Sequence, residues 1–164
     1  MNSFDLRREF EELLIKEAWL LDNDKYDEWL DLFDENTRYW APVRENLDRG
    51  NEDFSTPHLL SHFDDNKMTL GFRVKRLATG YAHAEEPPSR TRHFVSNVQI
   101  LENDTDRVRV ESNFIVFRGR PGKDETFFVG VRRDWWRKDP KGWINEERLV
   151  IFDHDVIESI TIFF

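Results

Sequence analysis

EEPPSRTRHFVSNVQIL, residues 85–101, decides how this chain folds. Glu85 and Glu86 are solvated acids. Pro87 and Pro88 each hold φ near about −65° and each lack a backbone donor, so no helix passes through them. Beyond them Arg92, Phe94, Ser96, Val98 and Ile100 alternate with His93, Val95, Asn97, Gln99 and Leu101. That is strand period. Both alternating sets carry apolar residues, so this strand is expected to be covered on both faces for part of its length. Helical spacing lies before the switch and strand after strand follows it. The double proline therefore reads as the border between a helical half and a sheet half.

Working back from the border, Leu6, Phe10, Leu13, Leu14, Ala18 and Leu21 recur at spacings of three and four, one apolar stripe on a helix that Ser3 can cap. Asp22-Asn23-Asp24 breaks it, and Asp24 is expected to cap a second helix carrying Tyr26, Trp29, Leu30 and Phe33. Thr37 to Val43 reads as a short strand. Residues 44–57 are polar and contain Gly50 and Pro57, as in a mobile loop or partner-binding arm. Asp64 or Asp65 is expected to cap a third helix that runs to about Thr79 and stops at Gly80. Gly71 inside it costs about 1 kcal/mol against alanine, which predicts a bend or a close packing contact there.

Forward from the border, alternating segments at about 91–101, 107–118, 125–137 and 142–152 are separated by short runs of turn formers. Hairpin connections are expected. Ile160 to Phe164 reads as a last short strand. Because exposed terminal phenylalanines are a liability, at least one of Phe163 and Phe164 is expected to be buried, in the fold or at a subunit contact. Helices followed by an antiparallel meander give an α+β architecture with helices on one face of the sheet, and the 164 residues suit one domain, 1–164.

Composition narrows function. The net charge of −9 argues against nucleic acid or an anionic membrane as a partner. With no cysteine there is no disulfide, no thiolate nucleophile and no cysteine-held metal or cluster within these residues. MNSFDLRREFEELL lacks the apolar core of a signal peptide, and a cytoplasmic location is the expectation. The 14 Phe and 6 Trp in a chain that is 35% charged need a home, either a lined pocket or a partner surface.

Few residues suggest chemistry. His58 and His62, with Asp64 and Asp65 beside them, have the types that hold non-haem iron, or are two surface histidines ahead of a helix. Arg90 and Arg92 are forks suited to carboxylates, whether Glu85, Glu86 or the acids of a partner subunit, or else solvated surface arginines. Asp153-His154-Asp155 reads as a turn. A pocket between helices and a curved sheet would offer Tyr26, Tyr39, His93 and Asp34 as acid–base groups, which keeps open a stand-alone, cofactor-free dehydratase or isomerase.

The chain resembles the small (β) subunits of aromatic-ring-hydroxylating dioxygenases, the Rieske non-haem iron terminal oxygenases. The resemblance runs through EAWLLDNDKYDEWLDLFDENTRYWAPV at 17–43, HFDDNKMTLGFRVKRLATGYAHAEEPPSRTRHFVSNV at 62–98, VRVESNFIVFRGR at 108–120 and the closing FF. The middle segment looks most like the biphenyl/toluene-type branch. The resemblance implies a cystatin-like or NTF2-like cone: a curved, mostly antiparallel sheet with the N-terminal helices packed in its concave face. It implies no catalytic, cofactor or metal-binding residue in this chain. The Rieske [2Fe–2S] cluster and mononuclear Fe(II) belong to a large (α) subunit. It further implies an α3β3 hetero-hexamer, NADH-derived electrons arriving through a reductase and ferredoxin, and cis-dihydroxylation of an aromatic hydrocarbon in its catabolism. Arg90, Arg92, His93, Phe163 and Phe164 are the residues expected at subunit contacts. The fold is shared with ketosteroid-isomerase-like and scytalone-dehydratase-like enzymes, which is the ground for the dehydratase alternative.

Overall fold

The computed structural model describes residues 3–43, 60–78, 88–157 and 160–164. The arm expected over 44–57, His58, the stop at Gly80, and Glu85, Glu86 and Pro87 lie outside the described residues. The order of elements is α1 (Ser3–Asp22), α2 (Tyr26–Leu30), β1 (Phe33–Pro42), β2 (Ser61–Asp65), α3 (Lys67–Ala78), β3 (Arg90–Asn103), β4 (Arg107–Gly119), β5 (Glu125–Asp139) and β6 (Gly142–Phe152).

The six strands form one sheet in the order β2-β1-β6-β5-β4-β3. β3 to β6 make the expected antiparallel meander, and Phe94↔Ile115↔Val129 illustrates its register across three strands. The early half of the chain is not purely helical, however. β1 pairs parallel with β6, with Tyr39 opposite Arg148, and antiparallel with β2. The double proline therefore does not separate helices from sheet. A lone strand among helices buries its backbone donors and acceptors only by joining the sheet, and the edge of β6 supplies that ladder.

Local chemistry explains the element ends. Asp24 adopts φ 57, a left-handed conformation that stops α1, while the Asn23 side-chain amide donates to the Trp19 carbonyl at 2.8 Å. Asp24 does not cap α2: Lys25 holds the cap position without a side-chain bond, and the Asp24 carboxylate accepts instead from the Tyr26 hydroxyl at 2.9 Å. Asp64 and Asp65 do not cap α3, because both belong to β2. The cap is Asn66, whose Oδ1 accepts from Thr69 N–H at 3.0 Å while Thr69 Oγ1 accepts from Asn66 N–H at 3.0 Å, a reciprocal box. α3 runs unbroken through Gly71, and a Cβ built there meets nothing within 4 Å, so the glycine marks no close contact.

α1 buries Leu6, Phe10, Leu14 and Leu21, and Leu6, Phe10 and Leu14 cluster with Val98, Val108, Val110 and Trp136 on the inner face of the sheet. A second cluster gathers Trp29, Phe33, Tyr39, Leu70, Val74 and Phe163. A third holds Phe114, Phe128, Val150, Phe152 and Phe164. Much of the aromatic surplus therefore fills the interior, while Phe4, Trp19, Phe72, Phe94 and Phe127 stay exposed. Residues 160–164 are not a strand. They run as an irregular segment inside the fold, where the Phe163 ring lies tilted against Trp29 at 4.5 Å and the Phe164 ring lies 4.9 Å from Phe152. Both phenylalanines are buried, at 3% and 1% exposure.

Candidate functional site

The inner face of the sheet carries charge where a core would be apolar. Glu17 lies on the apolar stripe of α1, three residues after Leu14 and four before Leu21. Arg132 and Asp134 alternate inward on β5 with Phe128 and Trp136, and Arg148 points inward on β6. All four are no more than 3% exposed. The Arg148 guanidinium donates to both carboxylates: Nε to Asp134 Oδ1 at 2.7 Å, Nη2 to Asp134 Oδ2 at 3.2 Å and to Glu17 Oε2 at 3.1 Å, and Nη1 to Glu17 Oε1. Arg132 Nη2 adds its charge 3.1 Å from Glu17. Trp29 Nε1 donates to Glu17 Oε1 at 3.0 Å.

Two acids and two guanidiniums thus balance in a dry interior. Burial alone would push the Glu17 carboxyl up, but the charges of Arg132 and Arg148 and the bonds it accepts outweigh that and hold it at about 2. Burial works against the charge of Arg148 as well, yet Asp134 and Glu17 raise it above the usual arginine range. A carboxylate saturated in this way is not a base available to a substrate.

Tyr39, the first acid–base candidate, stands beside this cluster at 0% exposure. Burial pushes its hydroxyl up to about 12. It donates to the main-chain oxygen of Phe164 at 3.0 Å and accepts from Phe164 N–H at 2.7 Å. The same oxygen accepts from Arg148 Nη1 at 3.0 Å. The phenyl ring of Phe164 occupies the space between Phe63, Phe114, Phe128 and Phe152. The end of the chain therefore fills the centre of the cone.

His93 joins three elements. Its backbone N–H donates to Asp22 Oδ2 at 3.0 Å, its Nδ1 lies 2.5 Å from Asp22 Oδ1, and its Nε2 lies 3.0 Å from the main-chain oxygen of Phe163. Acceptors face both ring nitrogens, so both bonds form together only when each nitrogen carries a proton. Burial opposes the Asp22 charge, but the two His93 bonds prevail and hold that carboxyl below the usual range. The ring is a clasp between the end of α1, the start of β3 and the closing segment.

The four acid–base candidates are not brought together. Tyr39 is saturated in the core, His93 is held by Asp22, Tyr26 donates to Asp24, and Asp34 accepts from Arg137 at 2.9 Å. Tyr26 and His93 share only a void of about 20 Å³, room for a single water. A larger cavity, about 320 Å³, opens beside the β4–β5 turn, with Arg118, Arg120, Thr126, Phe127 and His154 in its wall. Its arginines are already engaged: Arg118 Nη1 donates to Thr161 at 3.1 Å, and Arg120 Nε to Asp124 at 2.5 Å. His154 Nε2 accepts from Val129 N–H at 3.0 Å, so the turn expected at 153–155 is pinned to β5.

His62 lies edge-on to Phe152 at 5.8 Å, and burial lowers its pKa. Asp64 and Asp65 are taken by Arg38 and Arg73, each at 2.7 Å. Among the described residues no group of three or more His, Asp or Glu stands together as a metal site, and no helix is long and apolar enough to cross a membrane. Of the residues expected at subunit contacts, Arg90 and Arg92 are exposed on β3, whereas His93, Phe163 and Phe164 are enclosed by this chain itself.

Sequence reasoning missed the Glu17–Arg132–Asp134–Arg148 cluster. The signal was present: a glutamate on an apolar helical stripe, and charged residues at inward positions of two strands.

A family model described as the ring hydroxylating beta subunit matches residues 16–159. Among solved structures, a naphthalene 1,2-dioxygenase with indole in its active site is 24% identical over 100% of this chain and 88% of that chain, with a TM-score of 0.85. The β subunit of the benzoate 1,2-dioxygenase from Burkholderia mallei is 23% identical over 94% of this chain and 95% of that one, with a TM-score of 0.76. An NTF2-like protein with a cystatin-like fold from Novosphingobium aromaticivorans is 16% identical over 92% and 83%, at 0.60. These likenesses establish the NTF2-like, cystatin-like α+β fold with a curved open sheet.

Proposed function

Because the chain belongs to the family of ring-hydroxylating β subunits, we propose that it is the small, non-catalytic subunit of a terminal oxygenase, acting as one cytoplasmic domain over 1–164. Its partner is a large subunit that supplies the Rieske [2Fe–2S] cluster and the mononuclear iron. The assembly is α3β3 and draws NADH-derived electrons through a reductase and ferredoxin to cis-dihydroxylate an aromatic hydrocarbon. The middle segment, 62–98, supports the biphenyl/toluene-type branch. The exposure of Arg90 and Arg92 at the start of β3 supports the reading that they meet a partner's carboxylates.

The observation that carries the non-catalytic reading is the occupancy of the cone by its own chain. Tyr39, Arg148 and four aromatic rings hold Phe164 where a substrate would otherwise sit. A scaffold needs such a filled, rigid interior, whereas a stand-alone dehydratase needs a pocket with unsaturated acid–base groups.

Co-expression of the tagged chain with its untagged large subunit tests the reading. Co-purification is expected, with arene-dependent oxygen uptake by the complex plus its reductase and ferredoxin and none by this chain alone. Turnover of any substrate by the isolated chain, or failure to retain the large subunit, overturns it.

A further inference from the structure

The cavity of about 320 Å³ beside the β4–β5 turn combines two kinds of lining. Arg118 and Thr126 face each other across β4 and β5, Arg120 follows the end of β4, and His154 follows the end of β6. All four bring N–H or O–H donors. His154 Nε2 accepts from Val129 N–H at 3.0 Å, so the proton of that ring is on Nδ1, which makes it a donor too. Phe127, Phe128, Val156 and Ile157 complete the wall with apolar surface. Charge and apolar surface meet at one point, where the Arg118 guanidinium stands over the Phe128 ring, 5.2 Å from its centre.

Asp124 shows what these donors receive. It is the one acid among the described residues that line the cavity. Its Oδ1 accepts from Arg120 Nε at 2.5 Å, and its Oδ2 accepts from the Thr126 hydroxyl at 3.3 Å and lies 3.6 Å from Arg118 Nη2. The Arg120 bond, foremost among these contacts, holds the carboxyl below the usual range. Its side chain is 39% exposed on a surface turn, so these contacts form at the mouth, where a carboxylate arriving from solvent meets the same groups. One guanidinium can serve two carboxylates, since it carries five N–H donors. Arg148 of this chain does so with Glu17 and Asp134. The engagement of Arg120 by Asp124 therefore leaves the site open and identifies its chemistry.

A bare inorganic anion would leave the apolar part of the wall in water, with Val156 already 81% exposed. A purely apolar guest would strip water from the guanidiniums and return no acceptor. A cavity of about 150 Å³ accommodates benzene, so this one has room for a ring and its carboxylate. We propose that it binds an aromatic monocarboxylate, with the carboxylate on Arg118 and Arg120 and the ring against Phe128 and Ile157. The site lies apart from the Phe164 ring in the cone and does not rest on the reading of the chain as an oxygenase subunit. Arg118 Nη1 also donates to Thr161 at 3.1 Å, so an occupant ties the β4–β5 turn to the closing segment, and binding to the folded chain alone stabilises it.

Calorimetric titration and thermal melts of the full chain with benzoate, benzamide and acetate test the proposal. Benzamide keeps the ring without the charge, and acetate keeps the charge without the ring. Benzoate is expected to bind saturably, one per chain, at least tenfold tighter than either, and to raise the melting temperature. Ile157→Trp, which fills the cavity, should abolish benzoate binding. Arg120→Gln should weaken it at least tenfold, and Arg90→Gln, on an exposed arginine elsewhere, should leave it unchanged. Circular dichroism checks each variant, and if one fails to fold the other decides together with the three-ligand comparison. Absence of saturable benzoate binding at millimolar concentration overturns the proposal. So does benzamide or acetate binding as tightly, or benzoate binding that survives Ile157→Trp or depends on Arg90. None of these outcomes bears on retention of the large subunit, so the family reading stands or falls separately.

Discussion

The Tyr39 hydroxyl engages both main-chain groups of Phe164, accepting from its N–H at 2.7 Å and donating to its oxygen at 3.0 Å. One side chain on β1 thus does for the closing segment what a neighbouring strand would do, and an irregular stretch can lie in the core with its polar atoms satisfied. Tyr39→Phe keeps the ring and removes the hydroxyl. The Phe164 oxygen keeps Arg148 Nη1, but leaving the buried Phe164 N–H without its acceptor costs about 1–3 kcal/mol. Urea unfolding should show a midpoint lowered accordingly with an unchanged slope, and an unchanged midpoint would remove the hydroxyl from the account.

Phe164→Ala tests the filling of the cone. The ring is 1% exposed and packed by other aromatics, and such truncations cost about 3–5 kcal/mol. For a chain of this size that corresponds to a melting temperature lower by roughly 6–20 °C. Thermal melts of the isolated chain measure it, and a shift under a degree or two would mean that the ring contributes no packing.

Acid should destabilise the fold through Glu17. Its carboxyl is held at about 2 in the folded chain against 4.5 in the unfolded one, so the unfolded state binds more protons between those values. The stabilisation is complete above about pH 5 and is lost as pH falls toward 2. Asp22, also lowered, acts in the same direction. Unfolding free energies measured from pH 6 down to pH 3 should fall with acid. Glu17→Gln should be less stable at neutral pH, because it strands buried arginine charge, and should show a shallower acid slope. An identical slope in the variant would exclude Glu17 as the titrating group.

Two glycines should respond in opposite directions. Gly71 lies inside α3 with open space where a Cβ would go, so Gly71→Ala should raise stability by about 0.5–1 kcal/mol. At Gly130 a Cβ would come 2.1 Å from the Ile151 carbonyl oxygen and 3.0 Å from the Phe114 ring. Gly130→Ala should therefore destabilise, by at least about 1–3 kcal/mol, as overpacked sites do. Equal and small effects at both positions would count against the packing described between β5 and β6.

Periodicity alone located α1, α3 and the four long strands, because each is an element long enough for its apolar spacing to be unambiguous. β2 went unread: five residues, SHFDD, carry too little alternation to register, and its pairing with β1 is set by a partner distant in sequence. The caps at Lys25 and Asn66 were misplaced for a related reason. Several acids and amides in a row can each cap, and only the path of the chain selects one.

By itself the sequence determined the α+β class, the meander from β3 to β6 and, through PPSRTRHFVSNV and its flanking segments, the family. Those features depend on local spacing and on residue types, which the chain carries in order. Only the tertiary structure decided what occupies the middle of the cone. Glu17, Arg132, Asp134 and Arg148 are charged residues that a one-dimensional pattern assigns to solvent. They are stable inside because α1, β5 and β6 bring opposite charges into mutual contact away from water. The closing Phe163-Phe164 reads as a strand from its residue types, yet it lies irregular in the core. The hydrogen bonds that make this possible come from Tyr39, His93 and Arg148, residues of β1, β3 and β6 whose convergence on one point is a property of the fold and of no single segment.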